Sequence, residues 1–144
     1  MDSETDWERA VAEFERLMVH DGSVEAVQRF YADDAIVFEN RTMARAGRDA
    51  CMRWECEQRQ QMRQPPVIRV RSRAKDPKTR TVFMELITRW TDSNGSSLRL
   101  ETVRVQRWEA ERITQERFYY EGVVDESDDE PSPSTVTAWT KLGG

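Results

Sequence analysis

Apolar positions in the first part of the chain recur at helical spacing. Trp7, Ala10, Val11, Phe14, Leu17 and Met18 follow the rhythm of an amphipathic helix, and Thr5 with Glu8 has the capping-box pattern at its head. His20-Asp21-Gly22 ends this helix, and Ser23 is placed to cap a second, shorter one carrying Val24, Val27, Phe30 and Tyr31. Ala35-Ile36-Val37-Phe38 reads as a short strand from its length and β-branching. Gly47 precedes a third helix, Asp49 to Met62, with Ala50, Cys51 and Trp54 as its apolar stripe and Pro65-Pro66 as its stop.

From residue 67 onward the period is two. Four strands are expected, Val67–Lys75, Thr81–Thr91, Leu98–Trp108 and Ile113–Tyr120, joined by turns too short for anything but antiparallel neighbours. Helices first and a contiguous antiparallel sheet afterwards make an α+β domain. Alternation assigns the faces. Ile68, Val70, Ser72 and Ala74, then Val82, Met84, Leu86, Thr88 and Trp90, should face the helices. So should Leu100, Thr102, Arg104, Gln106 and Trp108, with Glu116, Phe118 and Tyr120 on the last strand. The outer face then carries Arg69, Arg71, Arg73, Glu85, Arg89, Arg99, Glu101 and Arg107, suited to cross-strand ion pairs or to joining two copies of the chain.

Charge separates the body from the tail. Of the 27 acids and 22 bases, residues 121–144 hold six acids and one Lys, so residues 1–120 carry 21 of each. A balanced body argues against nucleic acid as a partner. The run Asp125 to Glu130 followed by Pro-Ser-Pro-Ser-Thr has linker-like composition, giving a division into a domain of residues 1–122 and an acidic, disordered tail of residues 123–144. Val136, Trp139 and Leu142 are the tail residues able to dock back on the body. No stretch is apolar enough to cross a membrane and no secretory leader is visible, so a cytoplasmic protein is expected. Cys51 and Cys56 lie on different faces of one helix and read as reduced thiols. One His and no CxxC give no metal site.

The order of these elements, with Phe30-Tyr31-Ala32-Asp33-Asp34-Ala35 before Ile36-Val37-Phe38-Glu39, Gly47 opening a helix, and a meander closing on Ile113 to Tyr120, resembles the SnoaL-like and ketosteroid-isomerase-like branch of the NTF2-like superfamily. The resemblance covers about residues 5–121. It implies an NTF2-like (cystatin-like) cone, three N-terminal helices packed in a curved antiparallel sheet around a pocket, in a homodimer that uses the sheet face. It also implies cofactor-free chemistry, with Glu39 at the position of the general base. The positions of the isomerases' oxyanion hole hold Phe14 and Arg104 here, so that device is not carried over.

The expected pocket wall is Phe14, Met18, Phe30, Trp54, Met84, Leu86, Trp90, Phe118 and Tyr120, with Glu39, Arg104, Gln106 and Glu116 as its polar groups. Two readings of that cluster stand. Either Arg104 bridges Glu39 and Glu116 in a buried structural network, or Arg104 orients a small organic ligand while Glu39 removes a proton, giving isomerase, cyclase or dehydratase chemistry. A non-catalytic dimerisation or ligand-binding module is the alternative to an enzyme. Asp33 and Asp34 are expected to cap backbone amides at a helix-to-strand turn, and His20 to complement a helix C-terminus.

Overall fold

The computed structural model describes residues 4–20 and 22–126. The elements are α1 (Glu4–Val19), α2 (Ser23–Phe30), β1 (Tyr31–Glu39), β2 (Thr42–Ala46), α3 (Arg48–Gln60), β3 (Val67–Asp76), β4 (Thr81–Thr91), β5 (Ser97–Glu109), β6 (Arg112–Tyr119) and β7 (Val124–Asp125). One sheet holds these strands in the order β2-β1-β6-β5-β4-β3, with β7 beside β5. The expected α+β class and the four meander strands are present.

The sheet is not wholly antiparallel, because β1 runs parallel to β6. A hairpin, a helix and three strands separate the two, so no tight turn dictates their direction. Strand β2, unread in the sequence, pairs back on β1 around Asn40, which adopts a left-handed φ of 53°. Strand β7 lies on the tail side of the expected boundary at residue 122. Glu126, next to it, meets Arg89 and Arg99. Trp139 and the rest of the tail fall outside the described residues.

The N-terminal caps differ from expectation. Thr5 lies inside α1, which already includes Glu4, and the α2 cap is Gly22 with no side-chain hydrogen bond, so Ser23 is the first helical residue. Gly47 does open α3, with a φ of 92° that glycine adopts at no steric cost.

The α1 stripe is buried as its periodicity requires, Trp7, Ala10, Val11, Phe14, Leu17 and Met18 all facing the sheet. Phe14 packs edge-on against Phe30 and Trp108, with ring centroids 6.1 and 6.2 Å away. With Met84, Leu86 and Ile113 these side chains make one continuous core. The expected conical pocket is here filled with packed side chains. Phe14, Met18, Phe30, Met84 and Leu86 are core residues.

On β3 the inward set changes partway. The register slips between Val70 and Ser72, so Arg71 is an extra residue and everything after it changes face. Ser72 therefore sits opposite Glu85 and Ala74 opposite Phe83, on the outer side, while Arg73 is opposite Met84 and pairs with Glu15 of α1. The remaining outer charges behave as expected, Arg71 lying 3.7 Å from Glu85 and 3.2 Å from Glu101.

Removing the ring at the centre of the aromatic cluster leaves a cavity that the surrounding strands cannot collapse. Phe14→Ala is expected to cost about 3–5 kcal/mol of stability, read by urea unfolding with an unchanged m-value.

Candidate functional site

The inner face of the sheet holds two polar clusters separated by one aromatic ring. Deep in the core, Glu116 of β6 is fully buried and Arg104 of β5 is 7% exposed. Arg104 makes a two-pronged contact with Glu116, its Nε to Oε2 and its Nη2 to Oε1 at 2.9 Å. Gln106 donates from Nε2 to Glu116 Oε2 at 2.7 Å, and the Tyr31 hydroxyl donates to Oε1. Each donor is itself fixed. The Gln106 carbonyl accepts from the Trp108 indole at 3.2 Å, which turns its amide nitrogen toward Glu116, and the Tyr31 oxygen accepts from Arg104 at 3.2 Å. The guanidinium carbon lies 5.0 Å from the Phe14 ring centre and 4.8 Å from that of Phe118.

Burial pushes the Glu116 carboxyl well above the ordinary carboxylate range and draws the Arg104 guanidinium down to about 10. The hydrogen bonds oppose that drift. Every partner of Glu116 donates, and only the carboxylate anion accepts from all of them.

Nearer the surface lies Glu39, at the end of β1, with its side chain 30% exposed. Tyr120 donates from its hydroxyl to Glu39 Oε1 at 3.2 Å, and Arg45 of β2 lies 3.4 Å from Oε2. Arg45 is stacked 3.9 Å from the centre of the Trp54 ring of α3. Tyr120 is held from behind. Asn40 accepts from its backbone N–H and donates to its carbonyl, both at 3.1 Å. Burial, and then the charge of Glu39, push the Tyr120 hydroxyl up.

Arg104 reaches Glu116 but not Glu39, so the bridge expected across all three is only half formed. Register explains this. Phe118 on β6 is the cross-strand partner of Glu39 on one side and of Arg104 on the other, so two strand spacings, together about 9.5 Å, separate them. Of the other expected pocket residues, Gln106 belongs to the deep network. Trp54, Phe118 and Tyr120 are half-buried around Glu39 and Arg104, and Trp90 is half-buried near the far end of β4.

A third carboxyl, Glu55 of α3, is half-buried and senses the charges of Arg104 and Arg45. Burial raises it above the ordinary carboxylate range, and both arginines pull it back. Glu55 lines a cavity of about 410 Å³ between α2 and the end of α3. A second cavity, of about 480 Å³, lies where β6 ends. It is lined by inner-face Leu86, Thr102 and Tyr120 together with outer-face Glu85 and Glu101.

Asp33 is exposed and paired with Arg48 at 2.8 Å, and Asp34 is exposed on the strand, so the pair is not a set of backbone caps. Cys51 is buried but Cys56 is exposed, and both are free thiols. Among the described residues no group of three or more His, Cys, Asp or Glu side chains is placed to hold a metal ion, and no helix is long and apolar enough to cross a membrane.

Tyr31, Arg45 and Glu55 were not among the expected site residues. Tyr31 sits where the helical period breaks, and Arg45 lies in the unread hairpin. Glu55 had a legible signal, since it falls four residues after Cys51 and next to Trp54, an acid on the apolar stripe.

No family model matches the chain, and no curated protein matches it. Solved structures do. The epoxide hydrolase/cyclase-like enzyme SalBIII of pyran ring formation in polyether salinomycin aligns with a TM-score of 0.68 at 20% identity, over 83% of this chain and 94% of that one. A SnoaL-like polyketide cyclase from Jannaschia sp. CCS1 gives 0.68 at 10% identity, over 84% and 91% of the two chains. A protein of ketosteroid isomerase-like fold from Catenulispora acidiphila DSM 44928 gives 0.63 at 15%, over 77% and 84%. An NTF2-like protein from Cytophaga hutchinsonii is a further neighbour. At these identities the likeness establishes the fold, which many activities share.

The deep network is a structural element with a measurable cost of breaking. Arg104→Met alone is expected to destabilise the protein by about 3–5 kcal/mol, because it leaves Glu116 buried without its countercharge. Adding Glu116→Leu should restore much of that loss, read as a coupling free energy in a double-mutant cycle by urea unfolding.

Proposed function

We propose that this chain, which has the NTF2-like fold of SnoaL-like and ketosteroid-isomerase-like proteins, binds a small organic ligand and moves a proton on it without a cofactor. The observation that carries this reading is the setting of Glu39. Its carboxylate is half-exposed on the inner face and fixed by the Tyr120 hydroxyl and Arg45. A carboxylate so placed is open to a ligand, whereas Glu116 is sealed behind four hydrogen bonds.

In this reading Glu39 is the base. A ligand carbon beside a carbonyl loses its proton to Glu39, the electron pair moves toward the carbonyl oxygen, and the proton is returned at the same or a neighbouring atom. Isomerisation, cyclisation and dehydration all begin with this step. Arg45 and Tyr120 hold the carboxylate and aim it, so their removal weakens orientation as well as charge balance. Arg104 is a positioning residue. Its charge is committed to Glu116, and its flat face supports Phe118, the ring next to Glu39.

One observation favours a second reading, a ligand-binding or dimerisation module without chemistry. The space between the helices and the sheet is packed with Phe14, Phe30, Trp108 and Met84, and the deep polar network there is satisfied internally.

Solvent deuterium exchange separates the two readings before any substrate is identified. The wild-type protein is expected to accelerate exchange at the carbon beside the carbonyl in members of a panel of enolisable ketones, followed by NMR. Glu39→Gln should lower that rate about 10²–10⁴-fold. Its melting temperature should stay close to wild type, because a half-exposed ion pair contributes only about 0–1 kcal/mol. No exchange above background with any ketone, or full exchange by Glu39→Gln, would exclude Glu39 as the base.

A further inference from the structure

The cavity where β6 ends is opened by the backbone itself. Tyr119 is opposite Val103 and Val124 is opposite Arg99, so four residues, 120–123, span the stretch that three residues, 100–102, span on β5. Leu100, Glu101 and Thr102 keep their partners on β4 and have none on the other side. The N–H and C=O of a strand turn to alternate sides from residue to residue, so at least one of the three directs both groups into the gap. The extra residue bows the segment away from β5, and the resulting space of about 480 Å³ is lined from both faces of the sheet.

Thr102 is the buried polar side chain of this cavity. It is 7% exposed, and its hydroxyl has no hydrogen-bond partner among the described residues. The unpartnered side-chain atoms sealed from solvent, among the described residues, are the Trp7 indole nitrogen and Arg99 Nε. The Thr102 oxygen is therefore open to the cavity that the residue lines. A buried hydroxyl without a partner is destabilising, and a ligand that completes it removes that cost. Around it the wall is apolar and aromatic, with Leu86, Val103, Tyr119 and Tyr120. The same cavity is lined by the carboxylates of Glu85, Glu101 and Glu121 and by one guanidinium, that of Arg71. Arg71 approaches a single oxygen of Glu85 and a single oxygen of Glu101, and Glu121 meets no partner among the described residues. The next arginines along β5 and β6 are committed elsewhere, Arg99 to Glu126 and Arg117 to the Asn40 carbonyl.

We propose that this cavity binds a small organic ammonium ion with an apolar body, its N–H groups donating to the Thr102 hydroxyl and to the open backbone carbonyl of β5. Three carboxylates against one guanidinium leave a surplus of negative charge, which favours a cation. The tyrosine rings attract a cation placed over their faces, and Leu86 and Val103 take the alkyl part. An anionic ligand would be repelled, and a neutral alcohol would leave the surplus uncompensated. The inference goes beyond the reading of Glu39 as base and does not depend on it. The two sites meet at Tyr120, which lines the cavity and donates its hydroxyl to Glu39.

The probe is n-butylammonium chloride, with 1-butanol and butyrate as neutral and anionic counterparts of similar size, titrated into the isotope-labelled full chain and followed by amide chemical shifts. Butylammonium is expected to shift the amides of residues 100–103 and 119–122, with an affinity that falls as salt is added, while butanol and butyrate leave them in place. Thr102→Val should weaken binding about 10-fold, and Thr102→Ser should restore it. The hydroxyl removed in Thr102→Val has no partner in the chain, so this variant should melt no lower than wild type, which separates loss of the site from loss of the fold. Butanol binding as tightly as butylammonium overturns the proposal, as do shifts that are absent or centred elsewhere. Wild-type affinity in Thr102→Val overturns it as well.

Discussion

The pairing of Arg104 with Glu116 constrains the whole inner face. Two opposite charges removed from water lose several kcal/mol of solvation each, and only close geometry with further hydrogen bonds offsets that loss. Gln106, Tyr31 and the rings of Phe14 and Phe118 supply those conditions, drawing on β5, β1, α1 and β6 at once. A slip of one residue in β5 or β6 would turn Arg104 or Glu116 to the outer face and strand its partner. The pair therefore acts as a register lock for the strands flanking Glu39.

That lock also decides what the site can be. Because Phe118 must cover one face of Arg104, it lies between Arg104 and Glu39, and the expected three-membered bridge cannot close. Glu39 is left to Arg45 and Tyr120, both delivered by backbone features near the β1–β2 turn. Asn40, with its positive φ, makes the turn that brings Arg45 back along β1 and at the same time clamps the backbone of Tyr120. One residue thus sets both partners of the half-exposed carboxylate.

Much of this was legible in the residue pattern. Helical spacing placed the whole buried face of α1, and alternation placed Thr102, Arg104, Gln106, Trp108 and Glu116 on the inner side of their strands. Both signals are strong where one face is buried over many residues. The resemblance to NTF2-like proteins was carried by element order and holds at the level of fold. Pattern failed where the period was interrupted. The extra residue Arg71 reversed the faces of Ser72, Arg73 and Ala74, and nothing in an Arg-rich, largely exposed strand marks such a bulge. The β1–β2 hairpin was missed because Thr42–Ala46 has almost no buried residue to impose an alternation. Tyr31 was assigned to a helix stripe by spacing, although its hydroxyl, with no helical role, was a reason to look for a polar partner.

Three carboxyls on the helix side of one sheet end up in three chemical settings because their surroundings differ. Glu116 is dry but surrounded by donors, which oppose the pull of burial and close it off from any ligand. Glu39 keeps contact with solvent and has an arginine and a phenol on its two oxygens, the partners that suit a carboxylate acting as base. Glu55 is half withdrawn from water and accepts no hydrogen bond among the described residues, and burial raises it above the ordinary carboxylate range while Arg104 and Arg45 pull it back. The asymmetry follows from the fold. Side chains of β1, β2 and β5 and of Tyr120 just past β6 deliver the donors that hold Glu116 and Glu39, while Glu55 on α3 meets none among the described residues.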